Sequence, residues 1–187
     1  LPYHKMRSPG DKVHIEDCIV LCPINTNHPL SVSKCLLNDL ENFHEVNSTS
    51  CHTGWRIYRY LDSDMEESNI IKGGDIIRLF HAEHEKFFTV GEYKGIRHVF
   101  LRTTARAEAT SATSSNALWE VEVVMDEEWQ NDYGKWNSYF KIKHLPTGLY
   151  LTRICVEKHG DTSDQIDELT LSHFDPIDSI FEFHPTI

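Results

Sequence analysis

The ten residues from Arg97 to Arg106, RHVFLRTTAR, carry three arginines and no acid, in a chain of 187 residues with a formal net charge of -11. Guanidinium groups are planar, permanently charged donors that meet phosphate oxygens in pairs. Thr103 and Thr104 add hydroxyl donors, and successive backbone N–H groups in a turn can form a concavity that holds an anion. His98–Leu101 reads as a strand, which mounts Arg102, Thr103, Thr104, Ala105 and Arg106 at its end on a rigid frame. This is the chemistry that a multiply phosphorylated ring demands, and it requires no catalytic group. On composition alone a second reading stays open, a solvated hairpin tip whose arginines pair with nearby acids.

Other constellations carry less. His81-Ala82-Glu83-His84-Glu85 superficially resembles a metal motif, but it lacks the HExxH order and falls where a strand turns. It reads as polar loop, with a structural role for His81 repeated at His144. The five cysteines (Cys18, Cys22, Cys35, Cys51, Cys155) form no CxxC pair and read as reduced, mostly buried thiols of the cytosol. Zinc on Cys18 and Cys22 lacks favoured ligand spacing. The excursion His159–Glu168 is acidic without the ordered oxygen spacing of a calcium loop. No carboxylate pair, Ser-His-Asp order or Cys-His pairing has meaningful spacing, so no enzyme and no cofactor are expected. A field this acidic repels phosphate backbones and anionic membranes, which argues against nucleic acid. The polar start and the absence of long apolar runs predict neither a signal peptide nor a membrane span.

The frame for the arginine loop is a threefold repetition of about 63 residues. Trp55 and Trp119 are 64 residues apart, Trp119 and Phe181 62, His81 and His144 63. Each unit opens with a strand, at Gly10–Ile15, Gly74–Leu79 and Asn137–Ile142, and closes with an aromatic residue leading another, at Trp55, Trp119 and Phe181. Inside the units the apolar period is 2, as half-buried strands require, at Val13/Ile15, Ile77/Leu79, Phe140/Ile142 and Val121/Val123. No helical stripe exceeds a turn or two; Ser33–Leu40 is a short, soft exception. Trp55 and Trp119 read as core, while Trp129 and Trp136 flank an exposed loop around Asp132-Tyr133-Gly134 and serve either a contact surface or packing. An all-β chain of three such units, none able to bury its apolar face alone, predicts a closed β-trefoil.

Several stretches resemble one family: GGDIIRLFHAE (residues 73–83), VFLRTT (99–104), ATSATSS (109–115), ALWEVEVV (117–124) and FKIKHL (140–145). They are similar to the MIR-type trefoil region near the N-terminus of inositol 1,4,5-trisphosphate receptors, the calcium-release channels of the endoplasmic reticulum. Ryanodine receptors and protein mannosyltransferases resemble the chain less well. The resemblance is strongest over Gly73–Tyr150 and weaker over Asp11–Tyr60. It implies that residues 1–67 correspond to the end of a suppressor trefoil, and 68–187 to part of the ligand-binding-core trefoil. It also implies a piece of a tetrameric channel, on the cytosolic face of the endoplasmic reticulum membrane. Inositol 1,4,5-trisphosphate is then the ligand, and Arg102, Thr103, Thr104, the backbone at Ala105, and Arg106 the contacts to a phosphate. An adjacent helical domain and neighbouring subunits are the implied partners. The alternative is a scaffold module without a ligand of its own, as in a ryanodine receptor. Ala105 departs from the family's glycine; a β-carbon in a left-handed conformation costs about 1 kcal/mol.

Overall fold

A computed structural model describes residues 10–24, 26, 28–36, 44–48, 54–60, 69–81, 83–93, 95–102, 115–124, 133–136, 138–155 and 167–186. Twelve strands are assigned, in three groups of four. The first group is β1 (Cys18–Pro23), β2 (Leu30–Leu36), β3 (His44–Ser48) and β4 (Trp55–Arg59). The second is β5 (Ile76–His81), β6 (Lys86–Tyr93), β7 (Ile96–Arg102) and β8 (Trp119–Val124). The third is β9 (Tyr139–His144), β10 (Tyr150–Ile154), β11 (Glu168–Ser172) and β12 (Phe181–Pro185). The first and last strands of each group close a six-membered ring, in which β1 pairs β4, β4 pairs β5, β5 pairs β8, β8 pairs β9, β9 pairs β12, and β12 returns to β1. The middle strands form three hairpins, β2–β3, β6–β7 and β10–β11. A six-stranded ring capped by three hairpins is a β-trefoil, and closure leaves its barrel strands no exposed edge.

Register shows why these residues specify that ring. Within each group the aromatic that begins the last strand lies opposite an apolar residue of the first: Trp55 opposite Ile19, Trp119 opposite Ile77, Phe181 opposite Phe140. The same aromatics pair forward across the group boundaries, with His81, His144 and Pro23. All six residues of the first set are essentially buried, and Phe140 stacks on Phe183 with ring centroids 3.9 Å apart. Each indole also needs an acceptor when buried. Trp55 Nε1 donates to Leu30 O and Trp119 Nε1 to Phe88 O, tying barrel to cap in two of the three groups.

The first unit opens later than its sequence suggests. Gly10–Ile15 is not a barrel strand; it forms isolated bridges, Lys12 with Lys135 and His14 with Ile70. Three such segments meet head to tail. Val13 N donates to Gly134 O, Gly134 N to Ile71 O, and Ile71 N to Val13 O, at 2.7 to 2.9 Å. Close approach at this junction demands glycine, because a β-carbon on Gly134 would stand 2.8 Å from the Phe140 ring. The turn into each first strand then repeats. Asp17 Oδ2 accepts from His14 N, Asp75 Oδ2 from Lys72 N, and Ser138 Oγ from Lys135 N, at 2.8 to 3.0 Å. The structural counterpart of Gly74-Asp75 is therefore Glu16-Asp17, not Gly10-Asp11; Glu16 takes the left-handed φ of 70° where Gly74 has 91°.

Two further readings are decided. Trp136 is buried in the core cluster, 6% exposed, which favours packing over a contact surface, and Trp129 lies outside the described residues. Ser33–Leu36 belongs to strand β2, so the soft helical stretch there is not formed, and residues 37–40 lie outside the described residues.

Candidate functional site

The five residues expected to hold an anion begin where β7 ends. Hairpin β6–β7 runs from its tight end, Tyr93 opposite Ile96, to its open end, Phe87 opposite Arg102. Gly95 supplies the left-handed φ of 75° at the tight end, in a sequence that offers no other glycine there. Phe88 and Leu101, one residue inward from the open end, are fully buried and anchor the frame in the core. On its other side β7 pairs with β3, His44 opposite Leu101 and Glu45 opposite Phe100. The backbone therefore leaves Arg102 from a strand fastened on both flanks. It returns at a 3-10 turn, Ser115–Ala117, where Leu118 N donates to Ser115 O and Ala117 is buried. Thr103, Thr104, Ala105 and Arg106 lie outside the described residues, so the stem of the loop is defined and the contacts of its tip are not.

Two cations outside the expected set stand beside this stem. Lys86 opens β6 opposite His81 and adjoins Phe87, the partner of Arg102. The Arg78 guanidinium lies over the Phe87 ring, 5.2 Å from its centroid, a cation–π arrangement. The signal for Arg78 was its place between the buried Ile77 and Leu79, on the outward face of an apolar strand. Its nearness to Arg102 follows from the β5–β6–β7 register, which the sequence alone does not state.

Histidines fix the turns around the stem. His144 is 1% exposed, with Nε2 2.9 Å from Asn116 O and Nδ1 2.9 Å from Thr147 Oγ1. A carbonyl only accepts, so Nε2 carries the proton and Nδ1 accepts from the threonine hydroxyl. This bond joins the returning end of the arginine loop to β9. Burial lowers the His144 pKa from its ordinary 6.5; the bond to Asn116 opposes the shift and the positive charge of Arg97 adds to it. His81 occupies the same place one unit earlier, buried against Trp55 as His144 is against Trp119. Burial foremost, then the neighbouring His84, push its pKa down to about 4, against the pull of Glu83. His81 Nδ1 accepts from His84 N at 3.3 Å and stands 3.0 Å from His84 Nδ1.

The acidic excursion ends in a structural ion pair. Of the stretch from 159 to 168, Asp167 and Glu168 are described. Asp167 is fully buried and its Oδ2 accepts from Arg153 Nη1 at 2.9 Å, while Arg153 Nη2 reaches Asp178 at 3.2 Å. Cys18, Cys22 and Cys155 are free thiols; burial raises the pKa of Cys22, whose Sγ contacts Thr26 O at 3.4 Å. Among the described residues no helix is long and apolar enough to cross a membrane.

With a closed trefoil carrying its arginine loop on a cap hairpin, the chain can be set beside known proteins. The family model described as "MIR domain" matches residues 69–183, and the chain belongs to that family. A second model, "Inositol 1,4,5-trisphosphate/ryanodine receptor", matches residues 1–64. The particular likeness is to inositol 1,4,5-trisphosphate receptor itr-1 of Caenorhabditis elegans, 36% identical over 163 residues. That alignment takes in 81% of this chain and 6% of the much longer relative. The fold recurs in the SDF2-like protein of Arabidopsis thaliana, with TM-score 0.71 and 14% identity, covering 92% of this chain and 94% of that one. It recurs again in the S. cerevisiae protein O-mannosyltransferase Pmt1-Pmt2 complex, TM-score 0.72 and 16% identity, over 98% of this chain and 27% of that one. At such identities these two structures speak for the fold alone.

Proposed function

We propose that this chain is part of the ligand-binding region of an inositol 1,4,5-trisphosphate-gated calcium-release channel, and that Arg102, Thr103, Thr104, the Ala105 backbone and Arg106 contact a phosphate of the ligand. The observation that carries the reading is Arg102 closing a strand held on both flanks, in a chain 36% identical to such a receptor. A strand fastened on both flanks fixes where the loop backbone departs, which limits the ordering entropy lost when an anion binds. Lys86 and Arg78 beside the stem add positive charge where the rest of the molecule is acidic. The role is binding without catalysis. Ligand, tetramer, adjoining helical domain and a place at the endoplasmic reticulum membrane belong to the same proposal, as does a division into 1–67 and 68–187. The two family matches meet between residues 64 and 69, which supports that division along the sequence, although β1 and β4 close one ring with the later strands.

Calorimetry with inositol 1,4,5-trisphosphate tests the reading, on this chain alone and extended through the following helical domain. Weak or no heat is expected from the short form and saturable binding from the long one; a long form without heat leaves the scaffold function standing instead. Ala105→Gly is a finer probe. Relief of about 1 kcal/mol of backbone strain corresponds to roughly fivefold tighter binding, and an unchanged or weaker affinity would move the contact away from this loop.

A further inference from the structure

The turn that follows the first strand of each unit is built to one plan. In the first unit Thr26 Oγ1 accepts from His28 N, and in the third Thr147 Oγ1 accepts from Leu149 N, at 3.4 and 3.3 Å. In both, a hydroxyl three residues beyond the strand end completes the turn: Thr26 donates to Pro23 O, and Thr147 to His144 Nδ1. The second unit keeps the geometry, with Glu85 at φ 51° where Gly148 has 69°, but places His84 where its counterparts have threonine. A hydroxyl suffices for this turn, so an imidazole there brings a metal-ligating capacity that the fold does not require.

We propose that His81, Glu83 and His84 form a binding site for a divalent transition-metal ion of the zinc class. Ligand atoms from the three residues all lie within 4.8 Å of one another. The two Nδ1 atoms face each other at 3.0 Å. Two nitrogens on one tetrahedral zinc, each about 2.0–2.1 Å from it, stand about 3.3 Å apart, so a slight opening of the pair admits the ion. Two facing imidazole nitrogens are joined either by a proton, one neutral ring donating N–H to the other, or by a metal ion that takes both lone pairs. Glu83 is exposed and can swing its carboxylate in to supply an anionic third ligand, and the half-buried His84 leaves a path from solvent. Imidazole with carboxylate suits zinc, nickel or copper rather than calcium or magnesium, whose sites are built from oxygen. A water completes four-coordination. His81 is held by its packing against Trp55, 5.0 Å between centroids, so one ligand is fixed before the ion arrives.

The test is titration of Zn2+ into the chain, read by calorimetry and by the visible absorption of Co2+ in its place. One equivalent is expected that His84→Thr abolishes. The unfolding temperature of that variant in chelator should match the parent, because threonine serves the same turn twice elsewhere. Glu83→Gln, at an exposed position that leaves packing untouched, should weaken the same equivalent by about tenfold or more, since loss of even outer-shell partners costs 10–100-fold. Absence of zinc uptake at micromolar to millimolar metal overturns the proposal. So does uptake that both variants leave as it was, which would place the ion elsewhere among the histidines and thiols.

Discussion

His144 shows how one side chain couples the candidate loop to the barrel and to pH. It is neutral in the folded protein, held so chiefly by burial, and its pKa lies below the ordinary 6.5. An unfolded chain takes up a proton on this residue as pH falls through about 6.5, while the folded chain resists until its own lower value. Stability is therefore complete above pH 6.5, declines as pH falls below it, and stops declining on this account beneath the folded pKa. Urea titrations between pH 7.5 and 4.5 should show that loss. His144→Gln should remove up to one proton from the slope, about 1.4 kcal/mol per pH unit at the steepest. A variant with the parent's pH dependence would mean that His144 is not the group responsible.

The turns are the units in which this fold was only half legible. Trp55, Trp119 and Phe181 marked the closing strands because a large aromatic at constant spacing, within a period-2 run, has few places to go except the barrel wall. The opening of the first unit was misplaced because Gly10-Asp11 looks like Gly74-Asp75, whereas the chain uses Glu16 in a left-handed conformation that sequence reasoning assigns to glycine. Trp136 stayed undecided between packing and contact for a related cause. The segments that meet head to tail at Val13, Ile71 and Gly134 are joined by single bridges, and no periodicity announces them. The candidate loop was legible as residue types, yet the neighbours Arg78 and Lys86 needed a three-strand register that only tertiary structure supplies. A mutation series can weigh the turns directly. Asp75 is 8% exposed, accepts from Lys72 N at 3.0 Å and faces Arg59 Nη2 at 3.5 Å. Asp75→Ala should destabilise by about 1–3 kcal/mol, the cost of a buried donor left without its acceptor. Asp75→Ser should cost clearly less, because Ser138 does the same work one unit on. Equal losses in thermal unfolding would show that the Arg59 contact, not the turn, carries the effect.

At the scale of the whole molecule, acidity and the proposed anion binding are reconciled by distance. The net charge of -11 acts over the surface and is screened within about 10 Å at 0.1 M salt, whereas donors in the proposed loop would act at contact. The ring itself carries another consequence. Its seam joins β1 to β12, with Val20 opposite His184 and Leu21 opposite Phe183. A nascent polypeptide leaving the ribosome can pair β1 with β4 early but leaves the other flank of β1 unmated until β12 emerges, and pairings this remote in sequence are slow to form. Cotranslational folding should therefore stall at an open, protease-sensitive intermediate, and arrested chains released short of Phe181 should lack a sharp cooperative melt. Closure of the barrel thus waits on β12, whose pairing with β1 seals the ring.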